Sequence, residues 1–307
     1  MLSSNNIIWS KGPLRNDYSR KATGKNSSEA EIIKMIENAK ELLYIRSSSD
    51  DLDIFSNHLN KLTSPIILIT ADGTRPVPSS FSKTTVDNIL NHNKIIKWYT
   101  QNYDKSIIHE KLKHYPIGMD LHTTVWLINN DIQKKIDFMI ECRKKSPTDK
   151  RIKYKIFSDT HHSYTTDKRI KYKIFSNTHH SYTHDERKVV YSIIKQNKTF
   201  DLSSGRKSFI EITKDYNKYN FVLSPRGRGV DCHRTWELFL AGAIVITRTS
   251  TLDEMLINNN LPVIILNEWD ELNEISEEVL NKWYNDNIHK TSMENIFPKL
   301  MYTYWIQ

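Results

Sequence analysis

The 307-residue sequence contains only two cysteines, Cys142 and Cys232, which excludes a disulfide scaffold and a zinc site built from several cysteines. Glycine (8 residues) and proline (9 residues) are also scarce, so collagen-like and low-complexity classes are excluded. The longest apolar runs fall far short of the roughly 20 residues that a membrane-spanning helix needs. The first residues lack a charged start followed by an apolar core, so we expect no secretory signal and no membrane span.

Positive charge is in excess by eight, and the excess is concentrated in one segment. Residues 143–173 contain eleven basic and three acidic residues, which accounts for the whole net charge. A nucleic-acid surface along this stripe is one interpretation. A solvated basic segment is the favoured one, because aromatic residues interleave with the cations at only three positions, Tyr154, Phe157 and Tyr172. We therefore do not expect nucleic acid as a partner.

A tandem repeat follows, in which residues 151–168 and 169–186 are identical at 15 of 18 positions. The positions that differ are Asp159/Asn177, Thr166/His184 and Lys168/Glu186. Each copy begins with alternating apolar residues, which predicts a strand. We expect one copy to occupy a sheet position and the other to form an added hairpin or loop. The repeated histidine pairs do not predict a metal site, because neighbours on a strand point to opposite faces.

Apolar periodicity predicts alternating helices and strands along the whole chain. The predicted helices cover residues 28–44 (starting from a capping box at Ser28 and Glu31), 51–62, 86–90, 131–144, 186–196, 207–216, 252–256 and 271–284, and a further helix starts at residue 231. The predicted strands cover residues 65–70, 95–99, 115–120, one copy of the repeat, 220–223, 243–247 and 262–266. Continuous apolar strands that alternate with helices predict an α/β fold with parallel sheets covered by helices.

Two such runs, separated near residues 125–150, predict two Rossmann-like domains that face each other across a cleft. We expect an N-terminal domain at residues 1–145 and the repeat at the junction, residues 146–187. Residues 188–307 are expected to form a second domain with C-terminal helices.

The segment at residues 221–237, FVLSPRGRGVDCHRTWE, combines glycines and arginines at a predicted strand-to-helix junction. In open α/β sheets, ligands bind outside the carboxyl ends of the strands, and the amino end of a helix favours anions. Arginines suit a diphosphate, and a carboxylate beside them suits ribose hydroxyls. The predicted site consists of Ser224, Arg226, Gly227, Arg228, Asp231, His233, Arg234 and Glu237. Pure scaffolding, with Glu237 paired to Arg234 or His233, remains the alternative.

The stretch LSPRGRGVDCHRTWELFLAGAIVI, followed by LPVIIL, resembles the donor-binding half of exostosin-like glycosyltransferases, including forms found in giant viruses. The upstream PIGMDLHT is also similar to this group, so the resemblance spans roughly residues 65–285. It implies a GT-B arrangement, with a nucleotide-sugar in the C-terminal domain and an acceptor in the N-terminal one. Carried over to this chain, Arg226 and Arg234 would contact the diphosphate and Glu237 the ribose. Two features depart from the family. The duplication stands where the first strand of the donor domain is expected. The membrane anchor of eukaryotic Golgi members is lacking, which implies a cytoplasmic enzyme, in the host cytoplasm if the protein is viral.

The resemblance implies a glycosyltransferase that moves a hexose or pentose from a nucleotide-diphosphate sugar to a hydroxyl of a glycan or protein. The nucleotide-sugar is then a substrate, and neither a separate cofactor nor a metal is expected, because arginines and a helix dipole supply the positive charge. The base should follow a strand of the first half, and the candidates are Asp72, Asp120 and His122. Each of the three could instead be structural. A catalytically inactive binding or scaffold protein is the second hypothesis.

Overall fold

The computed structural model describes residues 6–10, 27–47, 50–123, 128–158, 185–202 and 207–306. Within them, the first half forms a four-stranded parallel sheet with the strand order β1-β2-β3-β4. Its strands are β1 (Leu42–Arg46), β2 (Ile66–Ala71), β3 (Ile95–Thr100) and β4 (Leu112–His114). The helices that accompany them are α1 (Glu29–Asn38), α2 (Asp51–Asn57) and α3 (Lys83–Asn91), with a 3₁₀ helix at Leu59–Lys61.

Helix α4 (Ile132–Lys145) and a 3₁₀ helix at Thr148–Lys150 lead into the second half, a five-stranded parallel sheet ordered β6-β5-β7-β8-β9. Its strands are β5 (Ile152–Ser158), β6 (Phe200–Leu202), β7 (Tyr219–Leu223), β8 (Ile244–Arg248) and β9 (Val263–Leu266). The helices are α5 (Glu186–Ile194), α6 (Phe209–Tyr216), α7 (His233–Ala241), α8 (Asp253–Asn258), α9 (Glu277–Asn287), α10 (Met293–Lys299) and α11 (Tyr302–Trp305), with 3₁₀ helices at Trp269–Glu274 and Ile288–Thr291.

Two predictions for the first half are wrong. The helix that starts at the Ser28 cap ends at Asn38 rather than at residue 44, because the next residues form β1, whose first four side chains are buried and which pairs with β2. Residues 115–120 form no strand. Gly118 adopts a left-handed conformation (φ +67°), and Met119 donates its N–H to the Ile8 carbonyl instead of a sheet neighbour.

Two differences also appear in the second half. The single helix predicted at residues 271–284 is interrupted, because Ser276 starts α9 by accepting a hydrogen bond from the Val279 N–H. The short strand β6 was not predicted, and it pairs with β5 at the edge of the sheet. The remaining predicted helices and strands are present within a few residues of their expected bounds.

The first copy of the repeat supplies β5, which pairs with both β6 and β7. The second copy, up to residue 184, lies outside the described residues, so its expected hairpin or loop stays a prediction. The interpretation of the basic stripe as solvated is wrong for Arg143 and Arg151, which are buried. Arg143 donates to the Leu240 carbonyl (3.0 Å) and Arg151 to the Ala241 carbonyl (2.9 Å), so both neutralise the carboxyl end of α7.

The predicted fold class is confirmed: two α/β domains, each built on a parallel sheet, meet with the carboxyl ends of their strands. One buried apolar cluster runs through both halves and includes Ile8, Tyr44, Val222 and Trp236. The end of the chain packs back on its beginning, since Ile8 donates its N–H to the Leu300 carbonyl. None of the helices in the described ranges has the length and apolar content needed to cross a bilayer.

Candidate functional site

The two halves meet where β3 and β7 end. Asn102, just after β3, accepts the Val230 N–H with its Oδ1 (3.1 Å) and donates its Nδ2 to the Gly73 carbonyl (2.8 Å). A Cβ on Gly229 would lie 2.6 Å from the Asn102 Oδ1, so a side chain here would have to displace the Asn102 amide. The strand ends of both sheets therefore lie next to each other, in the position where α/β domains bind ligands.

The loop between β7 and α7, residues 224–230, is called the arginine loop below. Ser224 anchors its start, because the Ser224 N–H donates to the Ile246 carbonyl (2.8 Å) and its hydroxyl bonds the Thr235 hydroxyl (2.9 Å). At its other end, α7 begins at His233 with Cys232 as a cap residue that makes no side-chain capping bond. The first turn of α7 therefore directs its N–H groups and positive dipole end toward the loop.

The arginines of this loop differ in their surroundings. Arg228 is exposed, while Arg226 and Arg234 are half-buried. The Nε of Arg226 is buried, and no hydrogen-bond partner for it exists in the structure as described. A buried guanidinium nitrogen without a partner costs free energy unless an anion binds it. Gly227 leaves room here, since a Cβ on it would have only an ordinary contact, 3.8 Å from the Arg187 Nη2.

The backbone of Arg226 is held by the start of α5. Glu186 accepts the Arg226 N–H with its Oε1 (3.4 Å), and Arg187 donates its Nε to the Arg226 carbonyl (3.0 Å). Glu186 also pairs with Arg248 at the end of β8 (3.3 Å). The start of α5 and the end of β8 thus meet at the arginine loop.

Asp231 joins the two halves. Its buried carboxylate accepts the Ile117 N–H (2.7 Å) from the first half and the Trp236 Nε1–H (3.0 and 3.1 Å) from α7. Burial raises the pKa of Asp231 to about 6, although the hydrogen bond from Ile117 acts in the opposite direction. The partners of the Asp231 carboxylate are thus residues of the protein itself.

Glu237 has a partner that the sequence did not suggest. Its Oε1 accepts a hydrogen bond from the Nζ of Lys135 (2.7 Å), and Lys135 on α4 is completely buried. The same Nζ donates to the Asp120 carbonyl (2.5 Å) and lies 4.6 Å from the centroid of the Phe209 ring. Lys135 therefore fixes Glu237 and the segment around Asp120 in one arrangement across the domain boundary.

Asp120, His122 and His233 form a cluster next to this pair. The His122 Nδ1 lies 3.2 Å from the Asp120 Oδ1, and the rings of His122 and His233 are 5.3 Å apart. The His233 Nδ1 lies 2.8 Å from the Gly118 carbonyl oxygen. Because a carbonyl oxygen only accepts hydrogen bonds, Nδ1 is the donor and carries a proton.

The electrostatics of this cluster keep Asp120 ionised. Burial alone would raise the pKa of the Asp120 carboxyl. The neighbouring basic groups, His233 first and then His122 and Lys135, outweigh this effect and hold the pKa well below its usual range. A permanently charged carboxylate beside an imidazole stabilises the protonated imidazole.

The third predicted base lies apart from this cluster. Asp72 follows β2 with a left-handed backbone (φ +56°), and its Oδ2 accepts a hydrogen bond from the Arg46 Nε (3.0 Å). The structure thus brings Asp120, His122, His233 and Glu237 together and places the arginine loop beside them through α7. It holds Asp72 in an ion pair of its own.

Four residues of this region were not predicted as site residues: Asn102, Lys135, Glu186 and Arg187. For Lys135 a signal existed, because it lies three residues after Ile132 and four before Met139, on the apolar face of α4. A charged residue on a buried face calls for a buried partner. For the other three no sequence pattern distinguished them from surface residues.

Over the described ranges, no group of three or more histidine, cysteine, aspartate or glutamate side chains is arranged to hold a metal ion. Both cysteines, Cys142 and Cys232, are free and half-buried.

No protein-family model and no curated protein matches the sequence. Among solved structures, the chain is similar to Anabaena HepE in complex with UDP-glucose (11% identity, 89% of this chain and 78% of that chain, TM-score 0.41). It is also similar to a glycosyltransferase from Rickettsia africae (14%, 90% and 82%, 0.39). A third similar structure is the UDP-GlcNAc 2-epimerase from Methanocaldococcus jannaschii (12%, 89% and 80%, 0.35). Similarity this distant assigns neither a substrate nor a reaction, so the fold assignment rests on the chain's own sheets.

Proposed function

We propose that the chain is a glycosyltransferase that moves a sugar from a nucleotide-diphosphate sugar to a hydroxyl of a glycan or protein acceptor. The observation that supports this most directly is the buried Arg226 Nε without a partner, in the arginine loop at the amino end of α7. Such a nitrogen beside a helix dipole is suited to an anionic ligand.

In this proposal the diphosphate lies against Arg226, Arg234 and the first turn of α7. Glu237 accepts a hydrogen bond from a ribose hydroxyl with the carboxylate oxygen that Lys135 does not hold. The remaining predicted donor residues have supporting roles: Ser224 and Asp231 fix the two ends of the loop, Gly227 leaves room for phosphate, and Arg228 and His233 add positive charge.

His122 acts as the base in the proposed reaction. It removes the proton from the acceptor hydroxyl, the acceptor oxygen forms a bond to the anomeric carbon, and the bond from that carbon to the diphosphate oxygen breaks. The diphosphate leaves with the electron pair, and Arg226 and Arg234 stabilise its charge without a metal. Asp120 orients the imidazole and stabilises its protonated form.

A thermal-shift screen of nucleotide-sugars, followed by a transfer assay with and without EDTA, tests this proposal. UDP-glucose is a practical first probe, since HepE was solved with it. A ligand at 100 times its dissociation constant should add about 2.7 kcal/mol to the free energy of unfolding. His122→Ala should abolish transfer while it leaves donor binding intact. Loss of activity in EDTA would contradict metal independence, and a screen without any shift would contradict the donor site.

A second candidate is a nucleotide-sugar-binding protein that catalyses nothing. It is favoured by Asp72, one of the three candidate bases, whose carboxylate already has a cation partner in Arg46. Donor binding that His122→Ala leaves unchanged, together with an absence of both transfer and donor hydrolysis in the unmodified protein, would select this candidate.

A further inference from the structure

The last residue of the repeat contacts the arginine loop. Glu186 ends the second copy and begins α5, and its side chain is only 6% exposed. One of its carboxylate oxygens accepts the Arg226 N–H (3.4 Å), and the other pairs with Arg248 (3.3 Å). The helix that follows the duplication is thereby attached to the proposed diphosphate site.

Both backbone polar groups of Arg226 are bonded by two consecutive residues of α5. Glu186 accepts its N–H, and Arg187, which is also buried, donates to its carbonyl (3.0 Å). The position of the Arg226 backbone therefore follows α5. Because the buried Arg226 Nε has no hydrogen-bond partner, no bond from this nitrogen holds the side chain, and its position depends on that backbone.

The two copies of the repeat differ at this position. The residue that corresponds to Glu186 in the first copy is Lys168. A lysine accepts no hydrogen bond, so it cannot hold the Arg226 N–H, and it would stand beside Arg248 and Arg187 as a like charge. Copies that share 15 of 18 residues are thus unequal at a position that touches the arginine loop.

We propose that Glu186 is a positioning residue for Arg226. Diphosphate binding then requires that the copy before α5 ends in Glu186, as the second copy does, and not in Lys168, as the first copy does. The inference rests on the proposed function, because it assumes that the arginine loop binds the diphosphate of the donor. Glu186 itself carries a negative charge and contacts no ligand in this proposal.

Binding of inorganic pyrophosphate to the full-length protein, measured by calorimetry at 150 mM salt, tests the role of Glu186. Glu186→Ala and Glu186→Lys should weaken binding at least tenfold, which corresponds to about 1.4 kcal/mol. Glu186→Gln keeps an acceptor oxygen for the Arg226 N–H and should bind within about threefold of the unmodified protein. Glu268→Gln is the matched control, since it removes the other, exposed partner of Arg248 and should bind unchanged.

A purely electrostatic role predicts the opposite sign. Removing a negative charge beside an anion site would tighten pyrophosphate binding, most strongly in Glu186→Lys. Equal or tighter binding in both Glu186→Ala and Glu186→Lys, in proteins with unchanged circular dichroism, would overturn the positioning role and leave the donor site standing. If the unmodified protein does not bind pyrophosphate, the donor site itself fails, and the role of Glu186 fails with it.

Two deletions extend the test to the repeat. Removal of residues 151–168 or of residues 169–186 yields proteins of equal length that differ at only three positions. The first retains Glu186 before α5 and should bind pyrophosphate normally, whereas the second has Lys168 there and should bind at least tenfold more weakly. Lys168→Glu in the second protein should restore the affinity. Equal affinities in the two deletion proteins, or no restoration, would overturn the proposal.

Discussion

Charged side chains have different surroundings in two neighbouring regions of the site. In the first, called the seam here, Lys135, Asp231 and Glu237 are buried and join the two halves through bonds of 2.7 Å. In the arginine loop, by contrast, Arg228 is exposed and Arg226 has a buried nitrogen without a partner. Asp231 and Glu237 of the seam, like the arginine loop, lie within a few residues of the start of α7.

From this difference we infer that the seam mainly serves stability and the arginine loop mainly serves binding. Charges that already have partners, as in the seam, are costly to disturb, because removal of one partner leaves the other buried and alone. A buried nitrogen without a partner, as the Arg226 Nε in the arginine loop is, does not stabilise the fold and is available for a ligand. Substitutions in the seam should therefore lower the free energy of unfolding, and those in the loop should lower affinity.

The largest effect should come from Lys135→Met. It leaves the Glu237 carboxylate buried without its cation, and we expect the free energy of unfolding to fall by about 3–5 kcal/mol in urea unfolding. The double variant Lys135→Met with Glu237→Met should recover much of this loss, because no buried charge remains.

Lys145→Met is the control for that experiment, since Lys145 pairs with Glu141 on the exposed side of the same helix. It should leave the unfolding midpoint unchanged. If Lys135→Met and Lys145→Met behave alike, the seam contributes no more to stability than a surface ion pair does, and the comparison between the two regions loses its basis.

The next effect concerns pH and Asp231. Its pKa is raised from 3.8 to about 6, so the folded chain binds this proton more tightly than the unfolded chain. The contribution of Asp231 to stability is therefore present at low pH and is lost as the pH rises from about 4 to about 6. The loss is on the order of 3 kcal/mol.

Asp231→Asn removes this titration. Measured between pH 4 and 6, the free energy of unfolding of the unmodified protein should fall relative to that of Asp231→Asn as the pH rises. The comparison concerns the slope and not the absolute stability, because the amide alters the bonds to Ile117 and Trp236. Parallel curves would mean that the Asp231 carboxyl is not perturbed by its burial in the seam.

For the arginine loop we expect a smaller effect of a different kind. Arg226→Ala and Arg234→Ala should each weaken binding of a nucleoside diphosphate by about 1.5–3 kcal/mol, the range for hydrogen bonds to charged groups. Arg226→Ala should change the free energy of unfolding by about 0.5 kcal/mol or less. Lys282→Ala, an exposed cation on α9, is the charge control. Unchanged affinity in both arginine variants would remove the donor-site assignment.

The sequence predicted the layers of the fold because buried strands and helices carry apolar side chains at fixed periods. Its errors have physical causes. No glycine or proline separates α1 from β1, so the apolar pattern of the helix runs on into the strand. In residues 115–121, the alternating Ile117, Met119 and Leu121 are indeed buried, but the backbone N–H groups of Ile117 and Met119 bond Asp231 and Ile8 instead of a sheet. The apolar period shows which side chains are buried, but it does not show which element the backbone bonds.

The site was predicted in part for a similar reason. The arginine loop stands out because glycines and arginines are adjacent in the chain. The seam, in contrast, is assembled from residues about 100 positions apart, such as Lys135 and Glu237. Partners so distant are defined only once the two sheets are in place, so Glu237 could be predicted as a site residue while its actual partner could not.

The smallest effect is expected for the deletion of residues 151–168. Residues 169–176 repeat RIKYKIFS, the arginine that precedes β5 and the whole strand, so the second copy can form the same ladder with β6 and β7. Arg169 would follow the 3₁₀ helix at Thr148–Lys150 directly and would take over the Arg151 bond to the Ala241 carbonyl. The deletion removes four basic and two acidic residues, so the net charge of +8 should fall to +6. Circular dichroism and thermal melting should show an intact fold with little change in the midpoint. If both copies are needed as core elements, stability should instead fall by several kcal/mol, the scale for loss of packed structure, and the redundancy of the two strands would be refuted.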